Sequence, residues 1–144
     1  MSAGQTRAGS CLCEANKFTV KGDPIYFSVC HCTNCKKQSG TAFMSNVAFK
    51  EENVDLAGSQ SLGQYTDTKI RSGLIIHRHF CNRCGSSMFI KPDPRNMKGV
   101  WVIPSALIDG FDDWTPSKED FPENRCSFVK ALEFNFPEVR YTTT

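Results

Sequence analysis

The sequence has no long apolar run, and nothing in it approaches the roughly 20 apolar residues of a membrane-spanning helix. The opening MSAGQTRAGS has no apolar segment after its charge, so it does not read as a signal peptide. No Lys/Arg-rich stretch exceeds Lys36-Lys37, and the formal charge is only +2. Both argue against nucleic-acid binding, which draws its affinity largely from neutralising phosphates. Sustained helical periodicity, internal repeats and low-complexity segments are also missing, which leaves no sign of a helical bundle, a solenoid or a second domain. What remains is 144 residues, 40% of them hydrophobic and eleven of them phenylalanine, enough to bury one core. The expected organisation is a flexible polar tail over residues 1–8 and a single domain over 9–141, with the closing TTT outside it.

Apolar and polar residues alternate with period two in short stretches, the signature of half-buried strands. The pattern predicts strands at Phe18–Val20, Ile25–Val29, Ala42–Phe49, Leu62–Tyr65, Gly73–Phe80, Ser87–Ile90 and Val100–Ile103. GDP at 22–24, AGS at 57–59, KPDPRN at 91–96 and DGFDDW at 109–114 carry turn residues between or after them. Helix is expected only as short turns, after Cys32 and within 118–126. The fold class is therefore mainly β.

Eight cysteines dominate the chemistry. With no sign of export, they are expected as reduced thiols in the cytoplasm, where metal ligation is the default use of clustered cysteine. Seven fall into three groups: Cys11 and Cys13 in GSCLCE, Cys30, Cys32 and Cys35 in CHCTNC, and Cys81 and Cys84 in FCNRCGS. A CxxC turn followed by glycine aims two sulfurs at one point, because Gly permits the positive φ the turn needs. A CxC pair on an extended segment points both side chains to one face. The two pairs together make a four-thiolate zinc site, which staples distant parts of the chain and contributes to folding. The triplet is left with a second zinc and an open fourth position, the arrangement of working rather than structural zinc. Closing it with Cys126 is the alternative, but Cys126 lies among Phe128, Val129 and Leu132, where cysteine serves as a small core residue. Seven thiolates and two zinc ions would carry the formal +2 to about −1.

This spacing, GxCxC, then CHCxxC with a basic residue and a Ser-Gly, then CxxCG, resembles the glutathione-dependent formaldehyde-activating enzyme family. That family includes centromere protein V-like proteins and has the Mss4-like β fold of small coiled antiparallel sheets. The resemblance runs from Gly9 to Pro104. It implies a structural zinc on Cys11, Cys13, Cys81 and Cys84 and a second, catalytic zinc on Cys30, Cys32 and Cys35. It also implies carbon–sulfur lyase chemistry, with glutathione and formaldehyde as reactants. A soft zinc with an open position suits thiol capture, lowering the pKa of the glutathione sulfur. Lys36 and Lys37 follow the last ligand and are candidate partners for a glutathione carboxylate, although each taken alone reads as solvated surface. Ser39 and Thr41 either wall this site or serve its turn.

Alternation points His31 away from Cys30 and Cys32, a structural placement. The same rule puts His77 and His79 on one face with Cys81, as a polar strand surface, as donors to sulfur, or as an accessory metal pair. A non-catalytic zinc module that binds a protein partner is the competing reading, and it would add the nucleus as a location. Trp101 and Trp114 would serve its interface or, as is usual in a small β domain, the core. The sequence predicts no membrane partner and leaves the oligomeric state open.

Overall fold

The computed structural model describes residues 4–95 and 98–132. Its strands, in chain order, are β1 Thr6–Ser10, β2 Lys17–Lys21, β3 Tyr26–Cys30, β4 Met44–Lys50, β5 Val54–Asp55, β6 Leu62–Asp67, β7 Ile76–Cys81, β8 Ser87–Pro92, β9 Val100–Pro104 and β10 Lys118–Asp120. One α-helix among the described residues, α1, spans Thr33–Ser39. The mainly β expectation holds. Each strand read from alternation is present with shifted ends, and the helix after Cys32 forms.

The strands make two sheets, β1-β2-β5 and β10-β3-β4-β9-β8-β7-β6. Pairing is antiparallel except between β10 and β3, which run parallel with Asp120 opposite Cys30. On one face of the larger sheet, Phe27, Val47, Phe49, Phe89, Trp101 and Ile103 form the main core against Phe18 and Val20 of the smaller sheet. The Phe18 and Phe89 rings meet edge-on at 5.3 Å, which locks the two sheets together. Trp101 is 8% exposed and Trp114 packs on Phe49, so both tryptophans are built into this core. The opposite face carries a smaller cluster of Cys30, Cys35, Met44 and Ile90. A strand places successive side chains on opposite faces, so Cys30, at the end of β3, belongs to the second cluster while Phe27 belongs to the first.

Three expectations are corrected. Residues 6–8 are not tail: they are strand, paired with Lys21, Val20 and Thr19, which the polar TRAGS stretch does not announce by alternation. The segment expected to turn helically within 118–126 begins as β10 and keeps only a short 3-10 turn, Pro122–Asn124, because residues 118–120 add their backbone to the edge of β3. KPDPRN is strand through Pro92 before it turns. Residues 1–3, Asn96 and the closing TTT lie outside the described residues, as does the expected domain end at 141.

Candidate functional site

Two thiol groups assemble among the described residues, and they are the two read from the spacing. Cys11 and Cys13 follow β1, Cys81 ends β7 and Cys84 lies in the turn after it. Their four sulfurs lie within 4.8 Å of one another. The Cys11–Cys13 and Cys13–Cys81 separations are both 3.7 Å. A tetrahedron with zinc–sulfur bonds of about 2.3 Å has an edge of about 3.8 Å, so zinc fits these four donors. Backbone amides point at the sulfurs: Asn16 N–H donates to Cys11 at 3.3 Å and Arg83 N–H to Cys81 at 3.3 Å. Such donors favour the thiolate a metal requires. The Ser86 hydroxyl, with its backbone amide, draws Cys84 down to about 5. Gly85 takes φ 78, the left-handed conformation the CxxCG turn requires. The CxC pair reaches its geometry differently from the extended segment expected. Residues 12–15 turn, with Glu14 at φ 61 and its N–H bonded to the Cys11 carbonyl, so Leu12 is left 85% exposed between a buried Cys11 and an exposed Cys13 whose sulfurs meet at one point.

The triplet is drawn together over six positions. Cys30 ends β3, Cys32 is the N-cap of α1, and Cys35 sits in the first turn of that helix. Cys32 accepts the Cys35 N–H at 3.2 Å, a capping role that serine or asparagine fills elsewhere. Cys30 and Cys35 are buried, and all three sulfurs lie within 4.8 Å. Three thiols this close share protons. Bonds from Cys30 and then Cys35 draw Cys32 down to about 2, while Cys32 and Cys35 push Cys30 up. Cys35 stands at about 11; Cys30 lowers it, but Cys32 and burial raise it further. The bonds from its two neighbours thus favour the thiolate at Cys32. No fourth protein donor joins it among the described residues. Cys126 instead lies 4.0 Å from the Ala42 carbonyl, outside both groups.

The triplet opens into a cavity of about 390 Å³ whose walls are Ile70, Ile76, Ile90 and Phe121, with Lys69, Arg71 and Arg78 as its cations. Arg78 is buried and donates to Asp67 at 2.8 Å and to Gln38. Asp67 also accepts the Asn34 amide at 2.9 Å, so both Asn34 and Gln38 of α1 are tied to β6 and β7. Arg71 pairs with Glu123 across the cavity mouth, its guanidinium 5.2 Å from the Phe121 ring. Phe121 itself takes φ 56, a strained backbone for a non-glycine residue at the wall of the cavity.

Lys36 and Lys37 do not line this cavity. The Lys36 ammonium donates to the Asn124 carbonyl, and the exposed Lys37 borders a neighbouring groove with Tyr65 and Phe80. Ser39 and Thr41 bond to each other at 3.0 Å and to the Phe43 carbonyl, serving the turn. His31 is fully buried on the far side, 2.9 Å from Glu119, which Arg125 holds at 2.7 Å. His77 and His79 join neither thiol group. Of the three cations missed, Arg78 was readable, since it alternates with His77 and His79 and must face the other way. Lys69 and Arg71 sit in an irregular stretch with no periodic signal.

A profile of the glutathione-dependent formaldehyde-activating enzyme family matches residues 6–124. A Halomonas elongata protein carrying the same family name is 32% identical over 103 residues, which are 69% of this chain and 64% of that protein. A second, from Talaromyces marneffei, is 28% identical over 103 residues, 69% of this chain and 52% of that one. The chain thus spans between half and two thirds of the length of these relatives.

Proposed function

Because the chain belongs to the glutathione-dependent formaldehyde-activating enzyme family, we propose that it is a carbon–sulfur lyase that makes and breaks S-(hydroxymethyl)glutathione at the Cys30–Cys32–Cys35 site. The observation that carries this reading is a three-thiol group, with no fourth protein donor among the described residues, at a cavity that also holds Lys69, Arg71 and Arg78. Zinc held by Cys30, Cys32 and Cys35 would supply a soft open position at which a substrate thiol ionises near neutral pH. The isoleucines and Phe121 exclude water around the reacting sulfur, which strengthens every charge interaction there. Lys69 and Arg71 bind the carboxylates of glutathione and hold its sulfur toward the triplet. In the cleavage direction the carbon–sulfur bond breaks with its electron pair passing to sulfur. The hydroxymethyl proton leaves, and formaldehyde and the thiolate result. Addition is the reverse. Cys11, Cys13, Cys81 and Cys84 would hold a second zinc, which would staple the fold of one domain.

The test is exchange between free and hydroxymethylated glutathione, followed by NMR with and without the zinc-loaded protein. Acceleration that Cys32→Ser abolishes supports the lyase. An uncatalysed exchange rate, with glutathione binding equal in wild type and Cys32→Ser, refutes it and leaves a non-catalytic zinc module.

A further inference from the structure

On the reverse of the sheet that walls the thiol cavity, the side chains next to Arg78 and Ile90 build a second cavity of about 340 Å³. His77 and His79 alternate with Arg78 on β7, and Lys91 follows Ile90 on β8. The register sets His77 opposite Lys91 and His79 opposite Phe89. Trp101 of β9 closes the floor, with the Lys91 ammonium 3.5 Å above its ring, and the exposed Lys98 stands at the rim. We propose that this cavity is a binding site for a small oxyanion, a phosphate or carboxylate group, held by Lys91, Lys98 and His79.

The case rests on unmatched positive charge. Lys91 and Lys98 have no ion-pair partner among the described residues. The acid nearest in sequence, Asp93, is already committed: it clamps Arg95 at 2.8 Å and accepts from His77 at 3.2 Å. Glu51 is the one carboxylate in the lining and it is exposed. Burial pushes Lys91 below the ordinary lysine value, with Glu51 pulling the other way. The buried Nδ1 of His79 has no hydrogen-bond partner, whereas both ring nitrogens of His77 are engaged, by Asp93 on one side and Thr66 and Gln64 on the other. A half-buried ammonium costs free energy that an oxyanion would offset, whereas the His79 Nδ1 is enclosed by protein and does not open on the cavity. Two lysines beside the histidines repel a cation, and no carboxylate or thiol comes close enough to His77 and His79 to form a three-donor metal group. An accessory metal pair is therefore disfavoured.

The test titrates inorganic phosphate, and separately malonate, into the full zinc-loaded chain at constant ionic strength set with chloride. Imidazole and indole NMR signals are followed. The expected result is saturable shifts of His79 and the Trp101 indole, with His31 and Trp114 unmoved. Lys98→Met, at an exposed position that cannot disturb folding, weakens the apparent Kd about tenfold. Lys91→Met and His79→Gln, checked for unchanged melting, weaken it at least as much. Saturation by phosphate alone or by malonate alone both support the site and identify which oxyanion it prefers. Non-saturating shifts with both anions, or Kd values unchanged in Lys98→Met and His79→Gln, overturn the proposal. So does a third equivalent of zinc that moves His77 and His79 together.

Discussion

Serine substitution in the two thiol groups should separate folding from chemistry, with a size that follows from the chain a bound metal would close. Cys13 and Cys81 are 68 positions apart, whereas Cys30 and Cys35 are five apart. The entropy of closing a loop scales as about (3/2)RT ln n, so the long staple constrains the unfolded chain by about 2.3 kcal/mol more than the short one. Cys11 and Cys81 are also 2% and 1% exposed within the main core, so losing their metal leaves desolvated thiols there. Adding the direct binding energy, Cys84→Ser should lose several kcal/mol. At roughly 3 °C per kcal/mol for a chain of this size, its melting temperature should fall by about 10–20 °C. Cys32→Ser keeps an N-cap oxygen for the Cys35 amide, so α1 stays capped and the loss should be about 5 °C or less. Zinc per chain should fall from two to about one in Cys32→Ser, while Cys84→Ser loses most of its zinc. The assay is differential scanning calorimetry with metal analysis of the same samples. Equal melting losses would show that the triplet is itself structural and would refute the division.

Arg71→Ala should raise KM for glutathione about tenfold with kcat little changed, while Lys36→Ala/Lys37→Ala leaves both near wild type; steady-state kinetics decides. Asp67→Asn leaves the buried Arg78 guanidinium unpaired and should cost about 3–5 kcal/mol in urea unfolding. The Asp67 carboxyl is lowered because bonds from Asn34 and Arg78 outweigh its desolvation. Its stabilisation is therefore complete above the unfolded value of about 3.9 and is lost as pH falls through the lower folded value. Wild type minus Asp67→Asn stability, measured from pH 6 to 3, should shrink over that acid window; a difference that stays constant would refute the assignment. Phe89→Ala removes the ring between Phe18 and Trp101 and should cost about 3–5 kcal/mol, read by the same unfolding.

What the sequence made legible follows from which signals are local. Cysteine spacing needs no tertiary information, because a CxxCG turn or a thiol at a helix N-cap is a property of a few consecutive residues. The triplet and each cysteine pair could therefore be read before the fold was known, whereas joining Cys11 and Cys13 to Cys81 and Cys84, 68 positions on, rested on ligand count and the family spacing. Alternation likewise located β3, β4, β7, β8 and β9, whose two faces meet different environments. It could not find β1, whose TRAGS has no apolar face of its own and is strand only because β2 pairs with it. Nor could it find β10, whose three residues extend the ladder beside Ser28, Val29 and Cys30. The lysines after Cys35 were chosen because they are near in sequence. α1 rotates successive residues by about 100°, which turns Lys36 toward Asn124 and Lys37 outward while Asn34 and Cys35 line the cavity. The cations that do line it come from residues 69–78, which only the sheet brings there.

Those three cations are not equivalent, and the difference assigns their work. Arg78 is 7% exposed and its partner Asp67 is 6% exposed. A substrate carboxylate cannot displace Asp67 without stranding a buried charge, at several kcal/mol. Arg78 therefore fixes α1, and with it Cys32 and Cys35, against β6 and β7 while placing permanent positive charge beside the thiolates. Arg71 and Glu123 are 55% and 52% exposed, and a pair of that kind contributes about 0–1 kcal/mol. A carboxylate arriving at the cavity mouth can take Arg71 from Glu123 at little cost. Lys69 has no ion-pair partner among the described residues and is free to bind a second carboxylate. Glutathione carries two carboxylates on arms either side of its thiol. The exchangeable cations at the mouth match that count, and the committed one lies by the sulfurs.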